Sequence, residues 1–179
     1  MNKIKLRKIA IAGLCIVILV IAIGIFGDSN NSPLKNNPLT TSTMNQTGST
    51  SSNDPTSAYK SKVSAITKNS NAILNDSYNV LDGITKGTID ENTAVSRLQN
   101  DKKGMAKTLS EIQSLNPPQN MQQFHTLLVA GLQDLDKALA LEITGIKNSN
   151  VDDLQRAVDL TSSAISKLNE AEKIYNQTN

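Results

Sequence analysis

One cysteine, one histidine, no tryptophan and two phenylalanines in 179 residues leave little of the usual material for chemistry. The single cysteine, Cys15, stands inside an apolar run, so the chain has neither a disulfide framework nor a set of thiolate metal ligands. One histidine, His125, cannot supply the two Glu-x-x-His pairs of a di-iron helical bundle, and the residue three before it is Gln122. Catalysis at His125 would need a nucleophile or an orienting carboxylate, and metal binding two or three further ligands; none stands at a recognisable spacing. The nine glycines form neither G-x-x-x-x-G-K-[ST] nor G-x-G-x-x-G, which removes the usual nucleotide-binding loops. Scarce aromatics give no stacking platform for nucleic acid. A long excess of basic charge is missing as well. Four of the 18 Lys and Arg residues precede the apolar run, and the remaining 14 against 16 acids leave −2 beyond it. No nucleic-acid partner, metal or organic cofactor is therefore expected.

What the sequence does have is one long uncharged stretch. Ile9 to Phe26, "IAIAGLCIVILVIAIGIF", is 18 residues, about the minimum that crosses a ~30 Å hydrocarbon layer as a helix. Lys3, Lys5, Arg7 and Lys8 precede it and Asp28 follows, so the positive-inside bias places residues 1–8 in the cytoplasm and the remainder outside. The run exceeds the apolar core of an ordinary cleaved signal, which favours a single-pass signal-anchor in the cell membrane over secretion. Leu14 directly before Cys15 is also a poor lipidation context.

Residues 27–56 are almost entirely Asn, Ser, Thr, Pro and Gly, too poor in apolar side chains to bury a core. They read as a disordered tether spanning on the order of 30 Å. Four N-x-[ST] sequons begin at Asn30, Asn45, Asn75 and Asn176, but 20 Asn and 33 Ser or Thr produce about four by chance.

From Ser57 the periodicity becomes helical. Tyr59, Val63, Ile66, Ser70, Ile73, Ser77, Val80 and Ile84 share one face. Gly87 can end that helix in a left-handed turn, and Thr88 or Asp90 can cap the next. Val95, Leu98, Lys102, Met105, Leu109, Ile112 and Leu115 mark the second seam, which runs into Pro117-Pro118. This pair ends one helix and opens another. Met121, Phe124, Leu128, Leu132, Leu135, Leu139, Ile143 and Ile146 follow at 25/7, about 3.6 residues per step. After "KNSN", Asn150 is a candidate N-cap with Asp152 and Asp153 in the first turn, and Leu154, Val158, Ile165, Leu168 and Tyr175 continue the pattern. The expected fold is all-α: a transmembrane helix, a tether, and an antiparallel up-down four-helix bundle over 57–179, with helices at about 57–86, 90–115, 118–147 and 151–176. Ser70, Ser77 and Lys102 at seam positions weaken the core and leave coiled-coil dimerisation open.

Within this frame His125 lies roughly 50° from the centre of the third helix's apolar face at 100° per residue, a boundary position. Asp134 and Asp136 point to different sides of that helix and read as solvated groups. Leu127 and Leu141, with Ala130, Ala138 and Gly145 nearby on the wheel, form a second apolar strip. The strip serves either a second neighbouring helix or a partner, so His125, Leu127 and Leu141 are the candidate partner contacts.

The order of basic N-terminus, membrane segment, Ser/Thr/Asn tether and helices, with Pro117, Pro118 and His125, resembles uncharacterised single-pass membrane-anchored or lipoprotein-like helical-bundle proteins of bacteria and archaea. The resemblance covers the whole chain and transfers no active residue. The expectation is a non-enzymatic binding or structural module of the cell envelope, contacting the membrane through residues 9–26 and an envelope protein or its own copy through the bundle. A ligand-sensing ectodomain working with a separate signalling partner, with a cavity near Ser70, Ser77 and Lys102, is the alternative.

Overall fold

The computed structural model describes residues 54–178. The expected cytoplasmic segment 1–8, the membrane-spanning run 9–26 and the tether up to residue 53 lie outside the described residues. The described residues are all α, with no strand: α1 (Pro55–Thr67), α2 (Ser70–Lys86), α3 (Glu91–Gln113), α4 (Gln122–Lys147) and α5 (Val151–Gln177). Because α1 and α2 together form one kinked arm, the architecture is four helices. Among the described residues no helix is long and apolar enough to cross a membrane.

Local chemistry sets the helix ends. The Asp54 carboxylate accepts from the backbone N–H groups of Thr56 and Ser57, and Pro55 takes the first helical position, where a missing N–H costs nothing. The arm therefore begins inside the Ser/Thr stretch assigned to the tether. At the kink, Lys68 and Asn69 keep right-handed helical angles, while the Thr67 hydroxyl donates to the Val63 carbonyl at 2.9 Å. The same back-bond stands at Thr161 within unbroken α5, so it accompanies the break without accounting for it. Gly87, at φ 73°, closes α2 in the left-handed conformation that favours glycine, and Asp90 Oδ1 accepts from Thr93 N at 2.9 Å to start α3. Asn150 caps α5 through the N–H groups of Asp152 and Asp153. The proline pair stands before α4 rather than in its first turn. Each proline holds its predecessor out of the α region, so the chain stays extended to Pro118 and passes through a 3-10 turn, Gln119–Met121.

Cross-helix pairs fix the topology. Arg97 meets Asp76, Lys102 meets Asp136, and Lys167 meets Asp134, so each helix runs antiparallel to the one before it. Tyr59–His125 and Ser77–Glu142 show the arm running parallel to α4. Lys60 reaches the end of α5, donating to the carbonyls of Tyr175 and Thr178. This is the up-down-up-down order.

The core is centred on α4, where Phe124, Leu128, Leu132 and Ile146 are fully buried with Val63, Val80, Leu98, Met105, Ile112 and Leu168. α4 and α5 form the closest pair. Buried Gly131, Ala138 and Gly145 recur every seven residues on α4, and buried Ala157, Ala164 and Ala171 do so on α5. A Cβ added at Gly131 would stand 2.8 Å from Leu168 Cγ, and one at Gly145 2.7 Å from Leu154 Cγ, so glycine permits this approach. In α3 the buried residues are Ala94, Leu98, Asp101, Met105, Thr108 and Ile112. Leu98, Met105 and Ile112 are where the sequence pattern places them, while the alternate positions fall one residue earlier, with Asp101 inside and Lys102 at the edge.

Candidate functional site

Two polar clusters lie against the arm. The first lies where the arm begins, α4 begins and α5 ends. Tyr59 Oη is 2.8 Å from His125 Nδ1, Phe124 meets Tyr59 edge-on at 6.3 Å, and Phe124 also packs against Tyr175 at 5.3 Å. Lys60 Nζ lies 4.5 Å from the centre of the Tyr175 ring while capping the carbonyls at the end of α5. Asn120 Nδ2 donates to Thr56 Oγ1 at 3.0 Å, tying the turn before α4 to the first turn of α1. Burial favours the neutral form of both ring partners: it lowers the pKa of His125 and pushes Tyr59 up to about 12. This suits a phenol O–H donating to an unprotonated Nδ1. A general base is oriented by a carboxylate or faces a nucleophile. His125 is instead held by a phenol that keeps its own proton, and the contact ties the arm to α4.

The second cluster is internal, between the arm, α3 and α4. Glu142 is 7 % exposed, and its Oε2 accepts from the Ser77 hydroxyl at 3.2 Å. Burial pushes its carboxyl up to about 7, with the hydrogen bond from Ser77 opposing and the charge of Asp101 adding. Asp101, 8 % exposed, is also pushed to about 7, first by burial and then by neighbouring Asp76, with Arg97 opposing. Its Oδ2 is buried without a hydrogen-bond partner, as is the hydroxyl of fully buried Ser70. Native cores leave few such atoms unpaired. Arg97 gives its guanidinium to Asp76 through both Nε and Nη2, which leaves Asp101 without a cation of its own.

The sequence pattern did not single out Asp101 or Glu142. Glu142 does follow Leu128 and Leu135 at intervals of seven, which is the signal that it faces inward. Lys102, expected beside Ser70 and Ser77, turns to Asp136, at 2.8 and 3.0 Å from its two carboxylate oxygens. Asp134, expected in solvent, is buried and binds Ser163 at 2.8 Å and Lys167. Its place on the α5 side of α4 explains the difference, because α5 supplies both partners. Of the second apolar strip, Gly145 is covered by Leu154 of α5 and Ala138 is buried, while Leu127 and Leu141 stay partly exposed. Leu127 packs against the main core from the edge. His125, Leu127 and Leu141 are therefore not gathered into one patch: at 100° per residue His125 and the leucines fall on opposite flanks of α4. Among the described residues no three His, Cys, Asp or Glu side chains converge as metal ligands.

Comparison of the chain with protein-family models, curated proteins and solved structures finds no match.

Proposed function

We propose that the chain is a single-pass membrane protein, anchored by residues 9–26, whose bundle stands outside the membrane on the 27–53 tether and acts as a non-enzymatic binding or structural module of the cell envelope. The observation that carries this reading is the engagement of its polar side chains. His125 is tied to Tyr59, Asp134 to Lys167 and Ser163, Asp136 to Lys102, and Asp54, Asp90 and Asn150 to helix starts. These contacts join one helix to another or start a helix. The exposed part of Leu141, next to the strip that α5 covers, is the favoured partner contact, with Leu127 on the same flank of α4 and His125 a separate contact on the opposite one. Membrane fractionation of cells expressing the full chain, followed by in-situ cross-linking, tests the proposal. Recovery of the intact chain in the soluble external fraction would overturn the anchor, and absence of any cross-linked species would overturn partner binding and self-association alike.

The second reading, a ligand-sensing ectodomain working with a separate signalling partner, draws support from the unpaired Ser70 hydroxyl and the polar core around Ser77 and Glu142. A ligand bound there stabilises the fold by mass action. Thermal-shift measurements on the full chain in detergent, against a panel of small polar metabolites, would show stabilisation; a flat response across the panel sinks the reading.

A further inference from the structure

The four helices are not held to one another by the same chemistry. α4 and α5 are joined by a close small-residue contact, and the acid between them, Asp134, has a cation and a hydroxyl as partners. The arm meets α3 and α4 through a different surface. Ser70 and Ser77 occupy seam positions on its buried face, Asp101 and Glu142 oppose it from α3 and α4, and two buried oxygens there lack partners. The charged groups that act on the two acids are Asp76 from the arm and Arg97 from α3 on Asp101, and Asp101 itself on Glu142. Arg97 is paired with Asp76 and Lys102 with Asp136, while the buried residues of α5 that follow its cap, Leu154, Ala157 and Thr161, carry no charge. Arg97 is near enough to Asp101 to oppose its raised pKa but gives its hydrogen bonds to Asp76, so among the described residues neither acid has an ion pair of its own. The arm is interrupted at Lys68–Asn69, and Lys60 near its start reaches the end of α5.

We propose that residues 55–86 form a proton-controlled releasable arm: they stay docked while the carboxyls of Asp101 and Glu142 hold protons and lift off α3 and α4 when these ionise, with the α4–α5 hairpin remaining closed. Two neighbouring carboxylates, neither with an ion pair of its own, cannot both be charged in a low-dielectric seam without drawing in water. Opening the arm admits that water; it also uncovers apolar residues such as Val63 and Val80, but the arm is held to its neighbours more sparsely than α4 and α5 are held to each other.

Amide hydrogen exchange of the full chain in detergent, at pH 6.0 and 8.0 with exchange times scaled for intrinsic rate, tests the arm directly. The expected result is a loss of protection of about tenfold or more in residues 55–86 at the higher pH, with α4 and α5 little changed. Glu142→Gln, which keeps a group able to pair with Ser77, is expected to reduce that pH response several-fold, and Asp101→Asn serves as the second variant. Equal loss of protection in all helices, or protection of 55–86 that ignores pH, overturns the proposal. An unchanged pH response in a folded variant also overturns it, as does failure of both variants to fold, since the neutral seam is the one said to be docked.

Discussion

Burial alone raises the pKa of both Asp134 and Glu142 on α4, yet the two carboxyls end on opposite sides of their ordinary values. Hydrogen bonds from Lys167 and Ser163 outweigh burial at Asp134 and hold its carboxyl below the usual range, whereas Glu142 has only the Ser77 hydroxyl and remains raised. The charged form is thus the native one at the first site and the strained one at the second. Asp134→Ala leaves Lys167 and Ser163 facing an apolar gap, and we expect it to lower stability by roughly 1–3 kcal/mol, the usual cost of an orphaned buried partner. Glu142→Gln removes the ionisation without removing the contact, so at pH 8 its unfolding midpoint should rise. Chemical denaturation of both variants at pH 8 checks the pair, and destabilisation by Glu142→Gln equal to that of Asp134→Ala would show that Glu142 is charged and satisfied. Neither environment was legible in the sequence. Lys167 is 33 residues from Asp134 and Ser77 is 65 from Glu142, and helical spacing reports only neighbours three or four apart.

At the scale of elements the sequence was far more informative. The 3.6-residue period located the helices, and Gly87, Asp90 and Asn150 mark their ends as their conformational chemistry requires. The kink after Thr67 was not readable, because Thr and Ser are too common to signal one. In α3 the expected Leu98, Met105 and Ile112 are buried, but the intervening seam positions are Ala94, Asp101 and Thr108 rather than Val95, Lys102 and Leu109, because a polar Asp101 gives no apolar signal. The small-residue ladder was visible only in part, since Ala and Gly score weakly as apolar and the mate of each rung lies on another helix. That ladder yields a contrast between two glycines. Gly→Ala in an open helix is worth roughly 0.5–1 kcal/mol of stabilisation. At Gly104 the nearest atom to a new Cβ is Ile73 Cδ1 at 2.7 Å, the free end of a partly exposed side chain that can swing aside. At Gly131 it is Leu168 Cγ and Cδ2, both at 2.8 Å, on a fully buried side chain with the Ala164 carbonyl behind. Gly104→Ala should leave the melting temperature unchanged or raised, while Gly131→Ala should lower stability by roughly 1–3 kcal/mol, the typical cost of overpacking. Thermal unfolding that gave both variants the same sign would mean α4 and α5 are not held as close as the ladder implies.

For the molecule as a whole, these groups combine into a stability curve whose slope is unusual for a protein with paired surface charges. Asp54, Asp90 and Asp134 have lowered pKa values, so the stability they supply is present above about pH 4 and lost as pH falls below it. His125 is lowered by burial, so its contribution is present above about 6.5 and weakens as the unfolded chain gains a proton below that. Asp101 and Glu142 act in the opposite sense over the window from about 4, where the unfolded carboxyls ionise, to about 7, where the folded ones do. Across that window the folded state binds more protons than the unfolded, and stability declines as pH rises. Two buried acids oppose one half-buried histidine, and the acids cover the wider range, so the net slope between pH 5 and 8 should be downward. With a melting temperature that moves roughly 3–6 °C per kcal/mol for a domain of this size, we expect the value at pH 8 to fall at least about 5 °C below that at pH 5. The variant carrying both Asp101→Asn and Glu142→Gln should lose this decline and leave the weaker, opposite trend of His125 exposed. Calorimetry of wild type and double variant across pH 4 to 9 separates the contributions. A wild-type midpoint that climbs steadily from pH 5 to 8 would mean that the seam beneath the arm accommodates two carboxylates, and that proton occupancy does not decide whether the arm is docked.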